Sequence, residues 1–294
     1  MIDSDIVYAR AETAEDAVRA WSKFTRAEAG GGEGTRYLAG GTEIATNARK
    51  AALPPPRALI DIKRIAEARR LERSGSKIFL GAALSLNEVG DSNLFPLLTA
   101  TVRRIADRTT RNRLSLGGNL AGNLPYREAA LPLLLADAWV LTVRPPAVPG
   151  SAHDAQSERR ERPLRRIFDK RVLLDPGEFM LGFSLPAEAA LLPWKHYRAT
   201  RTAGVDYPLA TACFLAAGPD GTGLAGTRPA GPARADIAAA VSGLHPFPVL
   251  FPSIAALRAA IAVPGMIKAD QRASAEYRTA LVLDMARRAE EELA

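Results

Sequence analysis

Two pairs of adjacent glycines, each beside a hydroxyl, constrain this chain more than any other feature. The first, Gly40-Gly41-Thr42, follows a short strand candidate, Tyr37-Leu38-Ala39, and leads into a helical stretch from Glu43 and Ile44 to Lys50. Paired glycines let the backbone take positive φ and approach a neighbour closely. Successive free N–H groups in such a bend form an anion-binding nest, and the N-terminus of the following helix adds to it. The same bend serves equally well as a tight strand-to-helix turn without a ligand. The second pair lies in Ser115-Leu116-Gly117-Gly118-Asn119 and repeats the plan with an amide side chain added. Two such bends suit a diphosphate, one phosphoryl group to each. Neither is a G-x-G-x-x-G fingerprint or a G-x-x-x-x-G-K-[ST] loop, which excludes a Rossmann dinucleotide site and a P-loop nucleotide.

The surrounding pattern is mixed. Thr13 reads as the N-cap of a helix that carries Ala17, Val18, Trp21 and Phe24 on one face and ends at Gly30, Gly31, Gly32 and Gly34. Further helices are predicted over 95–108, 128–137 and 272–293. Strands are predicted over 58–62, 77–81, 139–143, 179–185, 194–200, 211–216 and 237–244. Residues 109–113 read as a polar turn. Residues 145–162, rich in Pro, Gly and charge, read as an exposed loop. Its Arg159-Arg160-Glu161-Arg162 and Arg165-Arg166 either dock a partner or form a solvated face. No internal repeat is visible. The order predicts an α+β fold: a main domain over 1–187 in two lobes, split near 50–58, and a smaller α+β domain over 188–294 with an antiparallel sheet and helices.

Chemistry-bearing residues are scarce. One cysteine, Cys213, excludes a disulfide framework and a cysteine-held iron–sulfur cluster or zinc ribbon built by this chain alone. His153, His196 and His245 show no metal-ligand spacing, so no metal site is expected. No Ser/His/Asp, Cys/His or H-E-x-x-H arrangement is present, and no catalytic residue is singled out. A cofactor would have to carry any reaction. The 39 Lys+Arg against 32 Asp+Glu give a net charge of +7. The basic residues, mostly Arg, are scattered rather than striped, which argues against nucleic acid. No run approaches the ~18 apolar residues of a membrane span. The acidic Met1-Ile2-Asp3-Ser4-Asp5 has no apolar signal region. A cytoplasmic location is expected.

Read together, the motifs resemble a known family. Ala39-Gly40-Gly41-Thr42-Glu43-Ile44, Leu59-Ile60-Asp61-Ile62, Arg111-Asn112 and Ser115-Leu116-Gly117-Gly118-Asn119-Leu120 are similar to the FAD-binding medium subunit of molybdenum hydroxylases, the xanthine dehydrogenase and carbon monoxide dehydrogenase type. The likeness continues through Pro125-Tyr126-Arg127-Glu128-Ala129-Ala130, Pro163-Leu164 and Pro176-Gly177-Glu178-Phe179-Met180. It extends to Asp206-Tyr207-Pro208-Leu209 and Asp270-Gln271-Arg272-Ala273-Ser274-Ala275-Glu276-Tyr277-Arg278.

The resemblance implies an FAD-binding domain of the PCMH type and a C-terminal domain of the carbon monoxide dehydrogenase flavoprotein type. It implies that Tyr37, Leu38, Ala39, Gly40, Gly41, Thr42, Glu43 and Ile44, with Ser115, Leu116, Gly117, Gly118 and Asn119, hold the FAD. Glu128, where most relatives carry Asp, would contact the ribityl or flavin region. Ile105 and Met180 would pack near the cofactor, positions that ordinary core packing explains equally well. Arg198, where Lys is common, would stabilise a reduced flavin or pair with Asp206. The resemblance further implies electron relay in a heterotrimer: from a large molybdenum-cofactor subunit, through a small subunit with 2Fe–2S clusters, to FAD and then NAD+ or another acceptor. Xanthine or another purine is the expected substrate class. A free-standing flavin oxidoreductase and a non-catalytic scaffold of the same fold are the alternatives. The 145–162 insertion is longer than the hairpin the resemblance leads one to expect.

Overall fold

The computed structural model describes residues 6–26, 34–50, 54–123, 125–146, 157–217 and 237–293. The predicted helix stop at Gly30 to Gly32 and the centre of the 145–162 stretch lie outside them.

The N-terminal lobe alternates strand and helix: β1 (Val7–Arg10), α1 (Ala14–Arg26), β2 (Thr35–Leu38), α2 (Thr42–Arg49) and β3 (Ala58–Asp61). The strands form a parallel sheet in the order β1-β3-β2. Thr13 caps α1 as expected: its Oγ1 accepts the Asp16 amide at 3.0 Å, and Asp16 accepts the Thr13 amide at 3.0 Å. Ala14, Ala17 and Val18 bury their side chains against Ile60 and Ile62.

A second lobe follows with β4 (Leu71–Ser74), β5 (Lys77–Gly81), α3 (Leu86–Ser92), α4 (Pro96–Val102), α5 (Arg108–Arg111), α6 (Leu116–Ala121) and α7 (Ala130–Leu135). It continues with β6 (Trp139–Arg144), β7 (Glu158–Pro163), α8 (Leu164–Ile167), β8 (Phe168–Asp169), β9 (Arg171–Val172) and β10 (Phe179–Pro186). Its sheet runs β4-β5-β10-β6-β7, with all four neighbouring pairs antiparallel. The last part contains β11 (Trp194–Thr200), β12 (Pro208–Ala216), β13 (Ile237–Ser242), β14 (Val249–Phe251), α9 (Ile254–Ile261) and α10 (Ala275–Leu293). Its antiparallel sheet, β11-β12-β13-β14, packs under α9 and α10 through Phe214, Leu257, Val282 and Met285. The fold is α+β, as predicted, with antiparallel sheets beyond the first lobe. No helix among the described residues is long and apolar enough to cross a membrane.

Three local expectations are corrected. The helix expected over 95–108 stops at Val102, because Ala106 takes φ 51° and Asp107 caps a new turn through the Thr110 amide. Most of the predicted polar turn is therefore helix α5. The described end of the predicted loop, Glu158–Pro163, is an edge strand paired to β6. Its arginines are bound to acids: Arg159 to Glu15 and Glu67, Arg160 to Glu158 and Asp175, Arg162 to Glu178. Charge on an edge strand discourages pairing with another chain. Arg160 and Arg162 are half-buried in these pairs, while Arg159, Arg165 and Arg166 stay exposed, as the solvated-face reading expects.

Candidate functional site

A cavity of about 590 Å³ opens where the first two lobes meet, within the usual range for small-molecule and cofactor sites. Both diglycine bends line it, and they differ in kind. At the first, Gly41 sits at φ 72°, a conformation suited to glycine. It starts α2 without a side-chain cap, and the first intrahelical bond runs from the Ala45 amide to the Gly41 carbonyl at 3.0 Å. Among the described residues, no acceptor meets the amides of Thr42, Glu43 or Ile44. A helix N-terminus with free donors facing a cavity is an anion site by its nature.

The second bend is closed by the protein itself. Ser115 is the N-cap of α6, so Gly117 and Gly118 lie in a helix rather than after a strand. The Leu116 amide donates to the Leu84 carbonyl at 2.9 Å and the Gly117 amide to the Ala82 carbonyl at 2.8 Å. The Gly118 amide donates to Ser115 Oγ at 3.2 Å. The expectation of two equivalent amide nests is corrected: one is free and one is spent internally. The glycines here serve close packing. A Cβ on Gly117 would lie 2.8 Å from Ala82 Cβ, and one on Gly40 would fall 1.8 Å from the Arg113 carbonyl oxygen. Gly40 thus lets the first bend lie directly on the chain that enters the second.

Of the residues predicted for the site, Tyr37, Ala39, Gly40, Gly41, Thr42, Glu43, Ile44, Ser115, Gly117, Gly118, Asn119 and Met180 line the cavity. Leu38, Leu116, Ile105, Glu128 and Arg198 do not. Leu116 is fully buried, and Ile105 packs in the central core. Leu38 lies beneath the bend, its Cδ1 2.7 Å from where a Gly41 Cβ would stand. Glu128 and Arg198 are held by one another. Arg198 Nε donates to Glu128 Oε1 at 2.8 Å, and Thr211 Oγ1 donates to the same oxygen at 2.6 Å. Arg198 also reaches the Asp206 main-chain carbonyl at 2.8 Å, while the Asp206 carboxylate pairs with Arg272.

The sequence reading missed an aromatic wall. Tyr37 stacks on Trp21 with ring centroids 5.1 Å apart and lies 4.5 Å from Phe179. All three residues line the cavity. The Tyr37 hydroxyl donates to the Gly177 carbonyl at 2.8 Å, and burial pushes its pKa well above the ordinary tyrosine value. Phe179 and Met180 opposing Trp21 and Tyr37 would have been visible only with the lobe-to-lobe pairing in hand. The remaining wall holds Asn123, Tyr126, Arg171 and Glu178. Glu178 is buried, accepting from Thr142 Oγ1 at 2.5 Å and from the Asp175 amide at 2.8 Å, and pairing with Arg162. The described residues contain no cluster of three or more potential metal ligands.

Free main-chain donors, a stacked aromatic surface and two arginines, Arg36 and Arg171, without a carboxylate partner among the described residues suit a ligand with a phosphate group and a flat ring system. Residues 3–188 match the family model for the FAD-binding domain in molybdopterin dehydrogenase. The chain belongs to this family. It therefore binds FAD. It is similar to the carbon monoxide dehydrogenase medium chain of Hydrogenophaga pseudoflava, 29% identical over 180 residues, covering 59% of this chain and 58% of that one. It is also similar to the 6-hydroxypseudooxynicotine dehydrogenase complex subunit alpha of Paenarthrobacter nicotinovorans, 28% identical over 167 residues, 54% of this chain and 51% of the relative. The chain thus spans little more than half the length of these two relatives. Among solved structures, carbon monoxide dehydrogenase from Hydrogenophaga pseudoflava lacking the Mo-pyranopterin moiety superposes with a TM-score of 0.78. It is 25% identical over all of this chain and 98% of that chain.

Proposed function

We propose that this chain is the electron-transfer flavin subunit of a heterotrimeric molybdenum hydroxylase. In this reading it works with a small subunit holding 2Fe–2S clusters and a large subunit holding the molybdenum cofactor, in the cytoplasm. The observation that carries the reading is the cavity itself: uncapped amides at the start of α2 beside an aromatic wall. FAD, when bound, would supply the redox chemistry of an electron relay to NAD+ or another acceptor. The chain's own residues bind and orient. The amides of Thr42, Glu43 and Ile44 meet the diphosphate, Gly40 and Gly41 hold that bend against the 113–115 segment, and Trp21, Tyr37, Phe179 and Met180 cover ring surface.

Cys213, the one cysteine of the sequence, is buried, so any iron–sulfur cluster would have to come from another chain. The names of the relatives, a medium chain and a subunit of a dehydrogenase complex, support a multi-subunit setting. They also span carbon monoxide and a nicotine-derived compound, so the xanthine-like specialisation rests on the sequence resemblance alone. The assignment is tested by co-purification from the source cell. A cysteine-rich partner carrying 2Fe–2S signals, in fixed ratio with this chain, is the expected result. A chain that isolates alone and reduces its flavin with a small substrate unaided would favour the free-standing oxidoreductase instead.

A further inference from the structure

The charged side chains lining the cavity are Arg36, Glu43, Arg171, Asp175 and Glu178. Three of them are engaged. Asp175 and Glu178 are bound by Arg144, Arg160 and Arg162. Glu43 turns its carboxylate to the Asn123 amide, which donates to Oε1 at 2.7 Å. The two arginines have no carboxylate within ion-pair reach among the described residues. Arg36 lies on β2 and donates to the carbonyl of its neighbour Thr35 at 2.9 Å. Arg171 begins β9, which packs beside α6.

Its place is fixed from two directions. Arg171 Nη1 donates to Asn123 Oδ1 at 2.7 Å. Beneath it, Arg127, only 5% exposed, donates to the Gly122 carbonyl at 2.8 Å and to the Lys170 carbonyl at 2.6 Å. The turn after α6 and the hairpin that carries Arg171 are thus held as one piece. A single hydrogen bond leaves most of the five guanidinium donors free.

The two sides of the cavity are electrostatically unequal. On the α2 side, main-chain amides are free. On the α6 side they are consumed by Ala82, Leu84 and Ser115. A dianionic diphosphate lying between them needs a counter-charge on the α6 side, and backbone cannot supply it. We propose that the Arg171 guanidinium, oriented by Asn123, is the cation that faces the cofactor diphosphate on the α6 side of the cavity. The inference rests on the FAD reading of this cavity and adds a residue to it. Guanidinium–phosphate contacts are charge-assisted and directional, and an exposed one is sensitive to salt.

The test titrates the full chain with FAD and, separately, with riboflavin, across a range of NaCl concentrations. Arg171→Met is expected to weaken FAD on the order of ten- to a hundredfold at low salt. It should also flatten the dependence of log Kd on log salt. Arg171→Lys should keep most of that dependence. Riboflavin, which lacks the diphosphate, should bind wild type and Arg171→Met alike. The proposal is overturned if Arg171→Met retains the wild-type salt slope, or if Arg36→Met removes that slope instead. A wild-type chain that takes up no FAD at any salt would overturn the cofactor reading itself, and that result appears before any variant is compared.

Discussion

Glu128 and Arg198 close on one another at the junction of α7 with the C-terminal sheet, Arg198 Nε standing 2.8 Å from Glu128 Oε1 with side chains 6% and 2% exposed. Neither reaches the cavity. Losing one partner of such a pair strands a buried charge, which costs about 3–5 kcal/mol. Thr211 bonding the same carboxylate increases what depends on it. Glu128→Leu and Arg198→Met should each lower the stability of the chain by about 3 kcal/mol, and the double variant by clearly less than the sum. A urea-unfolding double-mutant cycle measures this. Additive losses would mean the two side chains do not depend on each other.

Substitution at the diglycine bends should act through the protein's own contacts. A Cβ on Gly40 would overlap the Arg113 carbonyl oxygen, so Gly40→Ala must drive the two bends apart. At Gly41 an alanine must hold φ 72° and press on Leu38, with a cost of about 1–2 kcal/mol. Gly118→Ala puts Cβ 2.7 Å from Ser115 Oγ and disturbs the cap of α6, worth about 1 kcal/mol. The expected order of damage to FAD retention is Gly40 first, then Gly41, then Gly118. Flavin retained after gel filtration, beside the unfolding midpoint of each variant, checks it. Gly118→Ala as damaging as Gly40→Ala would contradict the unequal roles of the two bends.

His196 makes stability depend on pH. It lies on β11, with Nε2 buried and without a hydrogen-bond partner among the described residues. Burial, followed by the charges of Arg104 and Arg198, pulls its pKa down to about 4 from 6.5. The folded chain therefore holds it neutral, while the unfolded chain protonates it below about 6.5. The contribution is constant above that pH and is lost as pH falls from about 6.5 towards 4. By pH 5 the loss should approach about 2 kcal/mol. The measurement is the wild-type stability minus that of His196→Gln, followed from pH 7.5 to about 5. A flat difference would mean that His196 titrates normally.

These cases show what the sequence makes readable. Gly40-Gly41-Thr42 was legible as a strand-to-helix bend, because glycine takes the positive φ that starts α2, and the amides that follow are free among the described residues. Ser115-Leu116-Gly117-Gly118 looked identical in composition. Only the structure shows Leu84 and Ala82 turning their carbonyls to it, from the turn after β5 more than thirty positions earlier in the chain. Glu158 to Pro163 read as loop because the segment is charged without alternating in hydropathy, and ion pairs replace the apolar face that periodicity detects. Trp21, Tyr37 and Phe179 come from three distant segments, so no local pattern announces their stacking. Glu128 and Arg198 were recognisable as notable charges, but their mutual pairing is a tertiary fact.

The central claim is that the uncapped start of α2 and the facing aromatic wall form an FAD site. The most direct measurement is titration of the purified chain with FAD, followed by flavin fluorescence and the visible spectrum, in wild type and Tyr37→Ala. Saturation at one FAD per chain is predicted, with quenched fluorescence where Tyr37 and Trp21 cover the ring system and weaker binding in the variant. A folded wild-type chain that stays colourless, alone and assembled with its partner subunits, would contradict the account.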